Sequence, residues 1–234
     1  MWINFTFVRN LLFGKRVAFL HIGKNAGTQI TLLANRLQQT GCSSVRIVKM
    51  GHGVKLHDLP QDMPYFFSIR DPISRFKSGF LSRKRQGLPK HFSPWSASEA
   101  LAFELFASAN ELAENLFEPS ENGKNAVRAI TSIQHTGMHQ IDWFIKSGFL
   151  LERPPVWIIR QNCFEQDVLT LLSRLDLHVS VSELFAEVPV RAHSQNYDGI
   201  PELSIKAIAN LKKWYERDFL FCELCEDWIA SQST

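Results

Sequence analysis

Two short segments of the chain carry residue types that could hold phosphate groups. The first lies between an apolar run and a helical pattern and consists of Gly23, Lys24, Asn25, Ala26, Gly27, Thr28 and Gln29. In such a turn, backbone N–H groups and the positive end of a helix dipole face an approaching anion. Lys24 adds a positive charge and Thr28 a hydroxyl. The segment departs from the Walker A pattern GxxxxGK[ST], because no Lys-Ser/Thr pair closes it.

The second segment runs from Ser68 to Phe80. Arg70 follows a predicted strand, and open α/β sheets bind ligands at the carboxyl ends of their strands. Ser74 and Ser78 are four residues apart and therefore share one face of the helix that begins near Pro72. An Arg fork and a Ser hydroxyl together could hold a phosphate. Taken alone, the first segment fits an ordinary strand–helix turn as well as it fits a phosphate site. The second segment, taken alone, fits a capped helix with solvated Arg and Ser side chains better than it fits a phosphate site.

As a pair, the two segments resemble the sulfotransferases that use 3′-phosphoadenosine 5′-phosphosulfate (PAPS). That family has a first motif like His-Ile-Pro-Lys-Thr-Gly-Gly-Thr, and residues 21–28 read His-Ile-Gly-Lys-Asn-Ala-Gly-Thr. Its second motif reads Arg-Asp-Pro, then Ser-Arg-Phe and Ser-x-Phe/Tyr, which residues 70–80 match. The resemblance implies that residues 23–29 bind the 5′ end of PAPS and that Arg70 and Ser78 bind its 3′-phosphate. Asp71 and Arg75 would be structural.

A third candidate, His52, stands between two glycines at the end of a predicted strand. Heparan-type members of the family place a catalytic His in this region. An acceptor hydroxyl needs a general base, and His titrates near neutral pH. By analogy with phosphoryl transfer, Lys24 would stabilise charge on the leaving 5′-phosphate. The transfer needs no bridging metal, and no Asp/Glu cluster lies near either motif in the sequence.

Strands alternating with helices must position these residues, which predicts an α/β fold with a central parallel sheet flanked by helices. The resemblance implies a P-loop-like, three-layer form of that fold. Residues 1–234 are predicted to form one domain, in which residues 84–150 are a mainly helical insertion that shapes the acceptor site. The predicted strands are 17–22, 45–50, 65–69 and 156–159. The predicted helices follow at 30–37, 72–81, 96–117, 122–147 (with breaks at Gly137 and Gly148), 168–175 and 204–229.

Composition limits the class of protein. The chain has 234 residues, 45% of them hydrophobic and 21% charged, with a net charge of +3. This charge is too small for a typical nucleic-acid binder, so no nucleic-acid partner is expected. Four Cys do not form a disulfide framework and fit a reducing compartment. The apolar N-terminus has neither a signal-peptide pattern nor a spanning length. We therefore expect a cytoplasmic protein that does not span a membrane, and leave its oligomeric state open.

The sequence thus predicts a PAPS-dependent O-sulfotransferase acting on a carbohydrate or other hydroxyl acceptor. The basic run Arg83–Arg85 is either a solvated helix end or a wall favouring an anionic acceptor. In relatives, a loop placed like Arg191, His193 and Ser194 closes over the nucleotide. His21 is predicted to be a core residue, and the His135 and His139 pair is a weak metal-site candidate. The alternatives are a P-loop-type nucleotide kinase or other phosphotransferase, and a non-catalytic module that keeps the nucleotide fold.

Overall fold

The computed structural model describes residues 15–39, 45–89, 91–144, 148–179, 184–185 and 201–232. Its strands are β1 (Lys15–Leu20), β2 (Val45–Lys49), β3 (Tyr65–Ile69) and β4 (Ile158–Arg160). Its main helices are α1 (Gly27–Gln39), α2 (Pro72–Lys84), α3 (Ala97–Leu105), α4 (Ala109–Asn115), α5 (Glu121–Ser132), α6 (Phe149–Glu152), α7 (Phe164–Arg174), α8 (Ile205–Trp214) and α9 (Glu216–Ser231). Short 3₁₀-helices occur at Leu56–Asp58, Gln140–Trp143 and Gln161–Cys163.

The chain forms two compact units, each built from separate stretches of sequence. The sheet unit comprises Met1–Ile69, Trp143–Gln195 and Cys225–Thr234. The helical unit comprises Arg70–Asp142 and Asn196–Leu224. The first phosphate-binding candidate and His52 belong to the sheet unit, whereas Arg70 and Ser78 belong to the helical unit.

The sheet unit is built on four parallel strands in the order β2-β1-β3-β4. β3 is buried along its whole length, and β1 is buried from Val17 onward. Continuous apolar runs of this kind are typical of parallel strands covered on both faces, so these strands were predictable from composition. The α/β class and the parallel sheet are confirmed. β1 ends at Leu20, two residues before its predicted end, and β4 begins two residues later than predicted.

The helical unit has its own apolar core. Phe76 and Phe80 of α2 are fully buried there, together with Leu112 of α4, Ile130 of α5 and Leu211 of α8. These side chains recur at helical spacing, so each helix turns one apolar face to the same cluster. Side-chain caps define where the helices begin. Asp71 accepts the N–H of Ser74 at 2.7 Å as the N-cap of α2, with Pro72 at the first helical position, as predicted.

The three longest predicted helices are interrupted in the structure. Residues 96–117 form α3 and α4, because Ser108 accepts the N–H of Glu111 at 3.0 Å and starts a new helix. Residues 122–147 are helical to Ser132, after which His135 adopts a left-handed φ of 76°. Residues 204–229 divide at Tyr215, where α8 ends. α7 begins at Phe164, four residues before its predicted start.

Candidate functional site

The Gly23–Gln29 segment lies where the connectivity of the sheet changes direction. The chain runs from β1 to β2 on one side and then returns to β3 on the other side of β1. In open α/β sheets, ligands bind at the carboxyl ends of the strands at such a switch point. The segment leaves β1 at this end of the sheet and leads into α1.

The backbone of this turn has a conformation suited to anions. Lys24 and Ala26 have left-handed φ angles of 70° and 57°, on either side of Asn25. Alternation between right- and left-handed residues directs successive N–H groups into one concave surface, a geometry that binds anions. α1 begins directly afterwards at Gly27, and the first N–H groups of a helix have no acceptor within it. The turn therefore combines directed amides, a helix N-terminus and the partly exposed Lys24.

Asn25 has a structural role in the turn. Its side chain is fully buried, and its Nδ2 donates to the carbonyl oxygen of Ser68 at 2.8 Å. The Ser68 hydroxyl donates in return to the carbonyl oxygen of Asn25. This two-point pairing ties the turn after β1 to β3. The backbone N–H of Asn25 donates to the carbonyl oxygen of Ile22 at 3.4 Å, so its side-chain amide and both of its backbone groups form hydrogen bonds within the protein. These bonds shape the turn.

His21 forms the support beneath the turn. It is 6% exposed, in agreement with its prediction as a buried residue. A Cβ atom added at Gly27 would lie 1.9 Å from His21 Nε2, so the imidazole packs directly against the Gly27 backbone. Only glycine fits at position 27 while the ring keeps this place.

His52 contacts the same imidazole. Its ring centroid lies 4.1 Å from that of His21, with the planes inclined at 37°. Hydrogen bonding to the His21 backbone acts to raise the pKa of His52, because it favours the protonated ring.

The surroundings of His52 keep its ring neutral. Burial of its inner face lowers its pKa below the usual 6.5, and the positive charges of Lys49 and Lys24 lower it further. These effects outweigh the hydrogen bond to His21, which acts in the opposite direction. Burial also lowers the pKa of Lys49. At neutral pH, His52 is therefore mainly in the neutral form, which is the form that a general base requires.

Arg153, which the sequence analysis missed, holds the loop that follows His52. Its guanidinium donates to the carbonyl oxygens of Leu56, Leu59, Pro60 and Met63, at distances between 2.6 and 3.3 Å. The guanidinium also lies over the Tyr65 ring, 5.4 Å from its centroid. Tyr65 Oη donates to the Arg153 carbonyl at 2.7 Å. No motif in the sequence marked this residue, since its partners lie roughly ninety positions earlier in the chain.

The second predicted motif occupies the start of α2 in the helical unit. The Nε and Nη2 atoms of Arg70 both donate to Ser74 Oγ, at 2.9 and 2.8 Å. Ser74 therefore orients the Arg70 fork, a role that sequence reasoning had not assigned. Ser78 follows one turn later on α2 and is partly exposed. Arg75 is 1% exposed, donates to the Met138 carbonyl at 2.8 Å, and has the structural role that the resemblance implied.

The basic run at the end of α2 does not present Arg83 to a ligand. Arg83 is buried, and its Nε and Nη2 donate to both carboxylate oxygens of Glu99, at 2.7 and 2.8 Å. Burial opposes ionisation of Glu99. The hydrogen bonds from Arg83, Gln134 and Ser96 outweigh it and lower the pKa of Glu99 to about 2. The positive charge of Arg83 is thus paired with Glu99 inside the unit, so Arg83 is neither a solvated residue nor part of an acceptor wall, the two alternatives left open by the sequence.

The other predicted residues are not assembled into a site. Among the residues that the structure describes, no group of three His, Cys, Asp or Glu side chains could hold a metal ion. His139 instead packs against Tyr215, with ring centroids 5.5 Å apart. The candidates Arg191, His193 and Ser194 lie outside the described residues. Within the described ranges, no helix combines the length and apolar character needed to cross a membrane.

Comparison with known proteins adds no relative. No protein-family model matches the chain, and no curated protein or solved structure matches it.

Proposed function

We propose that the chain is a PAPS-dependent O-sulfotransferase with a P-loop-like, three-layer α/β fold. Its acceptor would be a hydroxyl of a carbohydrate or a glycosylated molecule. One observation carries most of this proposal: the anion-binding turn at Lys24 and the neutral imidazole of His52 are supported by the same side chain, His21. This shared contact supports the proposal that an anion-binding site for the donor and a general base lie at one end of the sheet.

The proposed reaction assigns each group a separate task. The turn Gly23–Gln29 binds the 5′-phosphosulfate, and Arg70 and Ser78 bind the 3′-phosphate. His52 accepts the proton of the acceptor hydroxyl while its oxygen forms a bond to sulfur. The bond between sulfur and the 5′-phosphate oxygen breaks, and Lys24 stabilises the negative charge left on that phosphate. The charge of Lys24 supplies the stabilisation for which phosphoryl-transfer enzymes use Mg²⁺.

The geometry of the turn favours this reaction over ATP-dependent phosphoryl transfer. In a Walker A loop, a lysine and a Ser/Thr at the start of the helix contact the nucleotide phosphates and Mg²⁺. Here Lys24 lies in the turn before α1 and not in the helix itself. Gln29, in the first turn of α1, is buried. Thr31, the next hydroxyl residue on α1, donates back to the Gly27 carbonyl at 2.6 Å. The Thr31 hydroxyl is therefore bonded to the backbone of α1.

The first experiment compares nucleotides by thermal unfolding. Adenosine 3′,5′-bisphosphate without added metal is expected to raise the melting temperature, because a ligand of the native state shifts unfolding by mass action. Adenosine 5′-phosphate is expected to give a smaller rise. A rise with Mg·ATP alone would favour the kinase alternative, and a rise with none of them would contradict both enzyme assignments.

The second experiment measures turnover. Transfer from ³⁵S-labelled PAPS would be followed with glycan, lipid and phenolic acceptors, for wild type and for Lys24→Ala. The variant is expected to lose most of its activity. The matched control is Lys15→Ala, which removes an exposed lysine at the other end of β1. Donor binding without transfer to any acceptor class would favour the non-catalytic module.

A further inference from the structure

We infer that Gln140 is a positioning residue that sets the selectivity for the 3′-phosphate, an inference that rests on the proposed function. Arg70 follows the last residue of β3, so its own N–H and carbonyl lie beyond that strand. Within the helical unit, the Gln140 side chain engages both groups. Its Oε1 accepts the N–H of Arg70 at 3.1 Å, and its Nε2 donates to the Arg70 carbonyl at 2.8 Å.

Gln140 is itself held in one orientation. Its side chain is fully buried, and its backbone N–H donates to Asp218 Oδ1 at 2.6 Å. The same carboxylate oxygen accepts the N–H of Ile141 at 3.3 Å. Cys222 Sγ lies 3.7 Å from Gln140 Nε2 and 3.7 Å from the Arg70 carbonyl oxygen. A reversed amide would direct its NH₂ group at the Arg70 N–H and its oxygen at the Arg70 carbonyl, so only the observed orientation satisfies all four groups.

The two ends of Arg70 are therefore fixed by different partners. Gln140 holds the backbone, and Ser74 Oγ accepts two hydrogen bonds from the guanidinium. A bidentate contact with phosphate requires the fork to be in place before the ligand arrives, because ordering a long side chain on binding weakens affinity. Gln140 contributes to recognition through Arg70 and needs no contact with the nucleotide.

The test measures the affinities for adenosine 3′,5′-bisphosphate and adenosine 5′-phosphate by calorimetry. Gln140→Leu keeps a side chain of similar size but removes both hydrogen bonds to Arg70. We expect affinity for the bisphosphate to fall about tenfold or more, since displacing a binding group costs this much, and affinity for the monophosphate to change less than about twofold. Ser74→Ala removes the other support and should lower the same ratio.

The matched control is Asn210→Leu. Asn210 is another amide of the helical unit, whose Nδ2 donates to the carbonyl oxygens of Ala113, Glu114 and Leu116. Its replacement should lower thermal stability while the ratio of the two affinities stays at the wild-type value. If Gln140→Leu behaves in the same way, Gln140 is merely structural and the inference is overturned.

Gln140→Glu covers the case in which Gln140→Leu does not fold. It keeps an acceptor for the Arg70 N–H but sets a second oxygen against the Arg70 carbonyl, so the ratio should again fall. An unchanged ratio in this variant also overturns the inference. If wild type itself does not distinguish the two nucleotides, Arg70 does not read a 3′-phosphate and the proposed function fails first. If wild type distinguishes the two nucleotides and the Gln140 variants distinguish them equally well, only the proposed role of Gln140 is contradicted.

Discussion

The imidazole rings of His21 and His52 lie against each other, with centroids 4.1 Å apart. His21 also contacts the backbone of Gly27, so one buried side chain touches both the turn Gly23–Gln29 and the candidate base. A hydrogen bond to the His21 backbone also acts on His52 and raises its pKa, against the larger effect of burial. His21 therefore interacts with His52 through both its ring and its backbone.

We predict that kcat/KM for sulfuryl transfer is constant near neutral pH and decreases on the acid side with a midpoint below 6.5. The direction follows from the lowered pKa of His52, since a protonated imidazole cannot accept a proton. Lys49→Gln should move this midpoint upward, because the charge of Lys49 is one of the causes that lower the pKa. The measurement is the pH–rate profile, together with NMR titration of the His52 ring.

Two variants test whether this titration belongs to His52. His52→Ala should abolish turnover while binding of adenosine 3′,5′-bisphosphate persists. His57→Ala is the matched control, because His57 lies in the same loop and is half exposed beside Asp58. Turnover that survives in His52→Ala would remove this residue from the role of base.

A second prediction concerns Gly27. Gly27→Ala would place a methyl group 1.9 Å from His21 Nε2, so the His21 ring must move. Overpacking of a buried site costs about 1–3 kcal/mol, and the displaced ring would no longer support His52. We expect a lower free energy of unfolding, measured by urea denaturation, and a reduced kcat.

The control for this change is Gly53→Ala. A Cβ at Gly53 meets nothing within 4 Å, although this residue adjoins His52. Its replacement should leave the free energy of unfolding within about 0.5 kcal/mol of wild type. If Gly27→Ala is equally harmless, then the close packing of His21 against the turn does not exist in solution.

A third prediction tests the role of Arg153. Arg153→Gln removes a guanidinium that bonds to four carbonyl groups of the loop 56–63. Leaving carbonyl groups without a partner costs about 1–3 kcal/mol, and we expect a loss of this size in urea denaturation. Hydrogen exchange should also become faster in residues 56–63. Arg128→Gln, which breaks an exposed pair with Glu121, should change stability by less than about 1 kcal/mol. Equal losses in the two variants would show that Arg153 is an ordinary surface arginine.

The sequence was sufficient to predict those parts of the fold that local patterns determine. β3 was predicted because four of its five residues are apolar, and the start of α2 because Asp71 and Pro72 are helix-start residues. At 96–117 the prediction of helix was right, but the break in it was missed. Ala-, Leu- and Glu-rich sequence lies on both sides of residues 106–108, while the new cap at Ser108 depends on a single side chain.

The contacts that assemble the candidate site could not be predicted from local patterns. Asn25 and Ser68 are 43 residues apart, and Gln140 and Arg70 are 70 residues apart. Each pair is joined by amide or hydroxyl groups that suit many partners, so spacing along the chain carries no signal for the pairing. His21 was correctly expected to be buried, but its contact with His52 depends on the parallel pairing of β1 with β2.

The last prediction concerns Asp218, which holds Gln140 and lies 3.9 Å from Arg75. Burial raises the pKa of Asp218 from 3.8 to about 6, against the opposing effects of Arg75 and the backbone N–H groups. Between these two values Asp218 binds more protons in the native state than in the unfolded state, so its contribution to stability decreases as pH rises from about 4 to about 6. Asp218→Asn keeps an acceptor for Gln140 but does not titrate. We therefore expect wild type to lose stability relative to this variant across that range, at about 1.4 kcal/mol per unit of pKa difference. Urea denaturation of both proteins at several pH values measures this difference. A loss of stability in the variant that does not vary with pH leaves the comparison of the two stability-versus-pH slopes unaffected. A wild type that gains stability relative to Asp218→Asn over the same range would show that Arg75 and the amides outweigh burial.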